Sequence, residues 1–398
     1  MKNIITFQDL LNFTEECINN DKLDDKNLAT IRVHCRLFKV KLKDILREYF
    51  WDINKTMTYN ALFNFIIGNR GGGKSFGAKE RAIDNFIKKG EQFGYIRRYK
   101  DDLSGSMPTF FNDIAEDYPD YEFKSDASKF YIRKKPDNEK QKWTEADIAG
   151  YGFVLSTGNN KKSIPYPHIT MLVYDEFLLD EEGNVKYIKG EVRALLNLYE
   201  TVARPGSGHP RVTLWCLANA LSVTNPYFLE FKLCLPTKKD GNGKLIWRHP
   251  KNSILVEDVQ VEAFMKQKQK SEFGQIVAGT SYGDYSINNK MLFDDDTFVE
   301  KRTQKARNIF NFVYMGYKFG VWFDSSLCKM WVSESFDPSR MTYSFTTKDH
   351  KPDTTLLKSR YKSSQLQRFI EGFKDGSLYF ENINIKNMCF DIIKMFLY

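Results

Sequence analysis

The segment Gly68-Asn69-Arg70-Gly71-Gly72-Gly73-Lys74-Ser75 has the spacing G-x-x-x-x-G-K-[S/T], and its residue types suit a nucleoside triphosphate. The glycines leave room for backbone N–H groups to turn inward around phosphate oxygens. Lys74 can hold the β and γ phosphates of ATP, and the Ser75 hydroxyl suits Mg²⁺, a hard cation that takes oxygen ligands. Further along, the apolar run Ile169 to Tyr174 ends in Asp175-Glu176. Hydrolysis needs a second carboxylate for Mg²⁺ and a group that polarises water; Asp175 suits the first task and Glu176 the second. Asn219 follows the apolar run Val212 to Leu217, where it either reports the state of the γ-phosphate or caps a turn. Arg204, in TVARPGSGHP, and Lys162, in NNKKSIPYP, are loop cations able to reach a neighbouring subunit. A guanidinium supplied in this way accelerates hydrolysis by roughly 10³- to 10⁵-fold. The plain alternative for both is a solvated charge.

These residues need a scaffold that holds them together. The glycine loop follows FNFIIG and precedes a helical stretch, Phe76 to Lys88, whose positive N-terminal end favours anions. Short β-rich runs, FGYIRR at 93–98, FVLS at 153–156, ITMLVYDE at 169–176 and RVTLWCLANA at 211–220, alternate with amphipathic stretches. That alternation predicts an α/β fold with a mostly parallel sheet. The run FVLS lies between the glycine loop and the acidic pair, as in P-loop ATPases with an inserted strand and a catalytic glutamate, the ASCE type. Residues 1–50 carry apolar residues at helical spacing and form a helical preface to the P-loop domain at 51–255. The Lys/Gln-rich stretch VEAFMKQKQKSEF marks a linker or lid at 256–293. A smaller α+β domain follows at 294–398, with a β-meander at 311–333 and closing helices near 356–374 and 386–397.

Composition narrows the classes. A length of 398 residues gives a prior of two to three domains, and 42% hydrophobic with 15% aromatic residues excludes intrinsic disorder as the main description. No window approaches a spanning helix and no signal-type apolar core opens the chain, so a soluble protein that is not secreted is expected. The six cysteines lie far apart with no C-x-x-C pair, which argues against zinc and disulfide frameworks and fits a reducing cytosol. A net charge of +8 favours a polyanionic partner mildly. The segment KFYIRKKPDNEKQKW at 129–143 reads as a basic hairpin; it and Arg97, Arg98 and Lys100 either track phosphates or are solvated. A two-metal nuclease needs converging carboxylates, and Asp294, Asp295, Asp296, Asp324, Asp349 and Asp353 do not assemble into a trio by pattern. TKKD at 237–240 matches a guanine-specificity pattern, making a GTPase-like binding module an alternative. Against it, Asp175-Glu176-Phe177-Leu178 lacks the glycine of a GTPase switch.

With its preceding FNFIIG, GNRGGGKS resembles the genome-packaging (encapsidation) ATPases of small tailed bacteriophages with protein-primed linear double-stranded DNA genomes. So do GEQFGYIRRYK at 90–100, YPHITMLVYDEF at 166–177, EVRALLNLYETVAR at 191–204, LANALSVTNPYF at 217–228, FVEKR at 298–302, YMGYKFGVW and GSLYFEN, in the same order. The resemblance implies a terminase-like ASCE motor that uses ATP and Mg²⁺. It implies a homo-oligomeric ring, pentameric, in the host cytoplasm and transiently docked on the capsid portal (connector), which drives double-stranded DNA into a procapsid. Participation of a packaging RNA is left open. Carried over residue by residue, it puts Lys74 and Ser75 on phosphates and Mg²⁺, Asp175 on Mg²⁺, Glu176 as catalytic base, and Arg204 and Lys162 as trans-acting cations. The C-terminal domain would be RNase H-like, a vestigial nuclease without its metal carboxylates; a nuclease-competent terminase large subunit is the alternative. Residues 1–54 depart from the shorter family members.

Overall fold

The computed structural model describes residues 4–397 apart from 21, 47–48, 137–140, 158–164, 180–186, 205–209, 223–224, 237, 250–252, 290–296, 315 and 359–362. Four helices lead the chain: α1 (Phe7–Asn19), α2 (Asp25–Leu37), α3 (Leu42–Ile45) and α4 (Ile53–Met57). Thr6 and Asp9 form a reciprocal capping box that starts α1, and the Asp24 side chain accepts the Asn27 N–H to start α2. Their apolar stripes meet in a small core of Leu10, Cys17, Ile31, Cys35 and Leu46.

From β1 (Phe63–Gly68) the chain alternates. In order come α5 (Lys74–Lys89), β2 (Gln92–Arg97), α6 (Lys100–Ser106), β3 (Tyr121–Asp126), β4 (Lys129–Lys134), β5 (Ile148–Val154), β6 (Ile169–Asp175), α7 (Glu191–Ala203), β7 (Thr213–Ala218) and α8 (Pro226–Phe231). Then follow β8 (Leu245–Arg248), β9 (Ile254–Val259), α9 (Glu262–Lys270), α10 (Glu272–Val277) and α11 (Ser281–Ser286). Nine strands form one sheet in the order β3-β4-β5-β2-β6-β7-β1-β9-β8, parallel from β5 to β9 and antiparallel at both edges. Every residue of β1 is buried, as a central strand covered on both faces requires.

Three sequence expectations change here. The strand between β1 and β6 is β7, whereas FVLS overlaps the end of β5 and lies on the far side of β2. Chain order does not set sheet order when crossover helices can return on either side. The sheet also runs past residue 255, because β9 pairs in parallel with β1; the helices α9, α10 and α11 begin only after it. Finally, the basic run at 129–134 is β4, paired on both sides with β3 and β5, rather than a free hairpin tip. There Arg133 bonds Glu122 and stacks on Trp143, 4.1 Å from its ring centroid. The partner strand β3, YEFKSD, went unread because it is only half-buried and carries no continuous apolar run.

A second compact unit comprises Ser222–Leu229 and Phe293–Tyr398. Its elements are β10 (Arg307–Tyr314), β11 (Tyr317–Asp324), β12 (Lys329–Ser333), β13 (Thr342–Ser344), β14 (Thr355–Leu356), α12 (Ser364–Lys374), β15 (Leu378–Phe380) and α13 (Ile383–Leu397). The sheet order is β14-β13-β10-β11-β12-β15: an antiparallel meander β10–β11–β12, with β13 added parallel to β10, β14 to β13 and β15 to β12. Phe310, Phe312 and Val321 pack with Leu366, Phe369, Ile385 and Ile392 of α12 and α13. Asp324 serves the turn after β11, accepting hydrogen bonds from the Ser326 N–H and from the hydroxyls of Ser326 and Thr303. Asp349 accepts from the Gly316 N–H and the Thr346 hydroxyl. Among the described residues no group of three or more His, Cys, Asp or Glu could hold a metal; Asp294, Asp295 and Asp296 lie outside them.

Gly150 shows how tightly β5 and β2 approach: a Cβ there would come 2.7 Å from the Phe93 carbonyl oxygen and 2.8 Å from its ring. Gly150→Ala is expected to destabilise the sheet by about 1–3 kcal/mol, read as a lower urea midpoint; an unchanged midpoint would contradict this packing.

Candidate active site

Strand β1 ends at Gly68, where a Cβ would meet Val259 Cβ at 2.7 Å, so only glycine lets β9 lie alongside. Gly71 and Gly73 follow with φ of +90° and +86°, left-handed conformations that turn the loop back to start α5. Lys74 is buried. Its ammonium donates to the carbonyls of Gly68 (2.8 Å) and Asn69 (2.7 Å) and lies 3.5 Å from Asn219 Oδ1. Burial pulls its pKa down to about 8, against the attraction of Asp175. The Ser75 hydroxyl donates to Asp175 Oδ1 (3.0 Å), tying the helix start to the end of β6. The rest of the loop is held from outside: the Trp51 N–H donates to the Gly72 carbonyl (3.0 Å), Lys268 Nζ to the Arg70 carbonyl (3.2 Å), and the Asn69 amide to the Ile287 carbonyl. Arg70 itself is exposed.

At the end of β6 successive side chains would face opposite sides of the sheet. Glu176 instead adopts φ +59°, a conformation costly for a residue with a Cβ, and turns the chain away from the strand. Asp175 thereby meets Ser75 and the Tyr95 hydroxyl (3.3 Å), while the exposed Glu176 carboxylate meets Arg97 Nη2 (2.6 Å). Arg98 holds the turn from beneath, donating to the carbonyls of Glu176 (3.0 Å) and Phe177 (2.7 Å). Its guanidinium also pairs with Glu191, which accepts from the Tyr174 hydroxyl and the Ile188 N–H. Arg98 is only 3% exposed, so it is not available to track nucleic-acid phosphates, and Arg97 is committed to Glu176.

Gly68, Asn69, Arg70, Gly71, Gly72, Gly73, Lys74, Ser75, Asp175 and Asn219 therefore converge through the contacts above, with Glu176 beside them. Arg204 caps the C-terminal end of α7 with φ +33°, its Nε donating to the Thr201 carbonyl (3.3 Å). Lys162 lies outside the described residues. Sequence reasoning missed Tyr95, Glu191, Asp258 and Lys268. Asp258, in β9 beside the loop, has its carboxyl pushed up to about 6, chiefly by burial, despite hydrogen bonds from Gln260 and Asn289. The acid pair Glu257-Asp258 after the apolar run Ile254 to Val256 was the one available signal.

A central parallel strand that ends in a glycine loop around a buried lysine, with a serine bonded to an aspartate two strands away, defines a P-loop nucleotide-binding fold with one inserted strand. The chain belongs to the Podovirus DNA encapsidation protein (Gp16) family, whose profile matches residues 45–397. The DNA packaging protein of Bacillus phage PZA is 36% identical over 349 residues, 87% of this chain and 98% of that protein. That of Bacillus phage phi29 is 35% identical over the same shares. A chain of the bacteriophage Phi-29 viral genome packaging motor assembly has a TM-score of 0.67 at 35% identity, covering 87% of this chain and 99% of that one. No helix among the described residues is long and apolar enough to cross a membrane.

Free Lys74 loses its proton as pH rises through about 8, whereas a phosphate on the loop would hold that proton in place. Nucleotide affinity is therefore expected to fall above about pH 8, approaching tenfold per unit. Calorimetry in buffers of different ionisation heat should read proton uptake on binding at pH 9; no uptake would contradict a depressed Lys74.

Proposed function

We propose that this chain is an ATPase that packages viral DNA: a ring motor, pentameric, docked on the capsid portal in the host cytoplasm, which hydrolyses ATP between subunits and moves double-stranded DNA into the procapsid. The observation that carries the reading is the Ser75–Asp175 hydrogen bond, with Lys74 on one side and the left-handed Glu176 on the other. Family membership and the likeness to the DNA packaging proteins of Bacillus phages support the substrate.

The donor set fits Mg²⁺. Ser75 Oγ and Asp175 Oδ1 are hard oxygen donors 3.0 Å apart, close enough to serve one ion directly or through its waters. When bound, the ion would neutralise phosphate charge. Lys74 would hold the β and γ phosphates, helped by the positive N-terminal end of α5. Glu176 would take the proton of the attacking water, its carboxylate oriented by Arg97 and its backbone by Arg98. Asn219, at the end of β7 and next to Lys74, would sense the γ-phosphate. Arg204 and Lys162 would act on a neighbouring subunit's nucleotide. For the second unit, the meander with two strands added parallel to its first supports an RNase H-like domain, and the structural employment of Asp324 and Asp349 supports a vestigial one.

The test is ATP turnover by the purified protein with and without double-stranded DNA and procapsids, across a salt series. Wild type should be stimulated, the DNA effect should fade with salt, and Glu176→Gln should lose at least about 10²-fold while still binding ATP. Arg204→Ala should be impaired only in the assembled ring. Equal turnover by wild type and Glu176→Gln would overturn the assignment. Plasmid incubated with Mg²⁺ or Mn²⁺ should stay intact; cleavage would favour the nuclease-competent alternative.

A further inference from the structure

Against the outer side of the glycine loop lies a cavity of about 680 Å³ that extends well beyond the residues assigned above. Small-molecule sites span about 300–1,000 Å³, so this volume is that of a binding site rather than a packing defect. Its floor is the phosphate loop itself, since Gly71, Gly73, Phe76 and Gly77 line it. One wall is the segment 50–55, which runs directly against the loop. A Cβ on Gly73 would lie 3.1 Å from Phe50 Cβ, and the Trp51 N–H bonds Gly72. The opposing walls are α2 and α3, with Arg32, Cys35, Arg36 and Asp44, and the segment Asn112–Asp117.

Helices α1 and α2 and nearly all of α3 precede the matched residues 45–397. This helical module is fixed to the P-loop domain at the cavity's edge. Lys41 Nζ donates to Asp84 Oδ1 (2.8 Å) of α5 and to the Tyr118 hydroxyl (2.9 Å), and approaches Glu80 at 3.3 Å. Across the mouth, Arg36 of α2 pairs with Glu116.

The chemistry of the lining selects its occupant. Six carboxylates face the cavity against three cations, so a phosphate would be repelled from it and kept on the glycine loop. Carboxylates accept hydrogen bonds from sugar hydroxyls and ring amines, and Phe50, Trp51 and Phe76 offer flat apolar surface for a heterocycle. We propose that this cavity is the nucleoside subsite of the nucleotide whose phosphates lie on Gly68–Ser75, and that the N-terminal helical module forms its outer wall and raises nucleotide affinity. The proposal rests on the reading of the loop as an ATP site and assigns to helices α2 and α3 a part in the same site.

The full-length protein would be photolabelled with 8-azido-ATP and the adducts mapped by mass spectrometry. Adducts are expected within residues 29–46 and in the segment 50–55, suppressed by excess ATP and lost in Lys74→Ala. In parallel, ATP and inorganic tripolyphosphate would be titrated against wild type and Arg36→Glu, an exposed substitution that sets two like charges across the mouth. ATP should bind Arg36→Glu more weakly by about threefold or more, with tripolyphosphate unchanged and circular dichroism identical. If ATP binds through Lys74 but residues 29–46 stay unlabelled and Arg36→Glu binds ATP like wild type, the subsite is overturned and the ATP reading stands. Labelling of 29–46 that persists in Lys74→Ala also overturns it. No ATP binding by wild type overturns both.

Discussion

Lys74 carries an ammonium group into the protein interior at the end of a central parallel strand, and much of the first unit is arranged around that charge. A buried cation is tolerated only where carbonyls or an opposite charge replace its water. Here Gly68 and Asn69 supply the carbonyls and Asp175 the opposite charge, which requires β6 to end near the start of α5. The glycines are a consequence: a loop that wraps its own lysine must turn through left-handed conformations and pass close under β9. The depressed pKa of Lys74 is the residue of the desolvation cost that these contacts leave unbalanced.

A second buried charge organises the acidic side. The Arg98–Glu191 pair, at 3% and 2% exposure, would be a poor way to gain stability compared with apolar packing. Its geometry suggests another use, because Nη1 and Nη2 of Arg98 also donate to the carbonyls of Glu176 and Phe177. The left-handed Glu176 thus has a rigid support, and the strain of that backbone is offset by charged hydrogen bonds from below. Holding the turn at Glu176 and burying an ion pair are here parts of one arrangement.

Segments distant in the chain hold the loop from its outer side. Trp51 bonds Gly72 and Glu257, Lys268 bonds Arg70, and Phe264 packs near Gly71. Any displacement of α9–α11 or of the 50–55 segment would be felt in the backbone of the glycine loop. The N-terminal helices share a core with Phe264 and so belong to the same mechanical neighbourhood.

Much of the site was legible in the sequence because its signals are local. The glycine spacing, the apolar run before it and the acid pair at a strand end each reflect backbone rules acting over a few residues. The same locality made β1, β2, β6, β7 and the meander β10–β12 readable. What tertiary structure alone decided were the choices between partners far apart in the chain. It placed β7 rather than FVLS between β1 and β6, drew β9 into the sheet, and turned Arg97 and Arg98 from candidate phosphate contacts into partners of Glu176 and Glu191. It also set Lys41 against Asp84 and laid the helical preface beside the glycine loop. A charged residue has the same composition and local pattern whether it meets water, phosphate or a buried carboxylate. Which of these it meets depends on the packing of the whole chain, because only that packing determines where water is excluded and which opposite charge lies within reach.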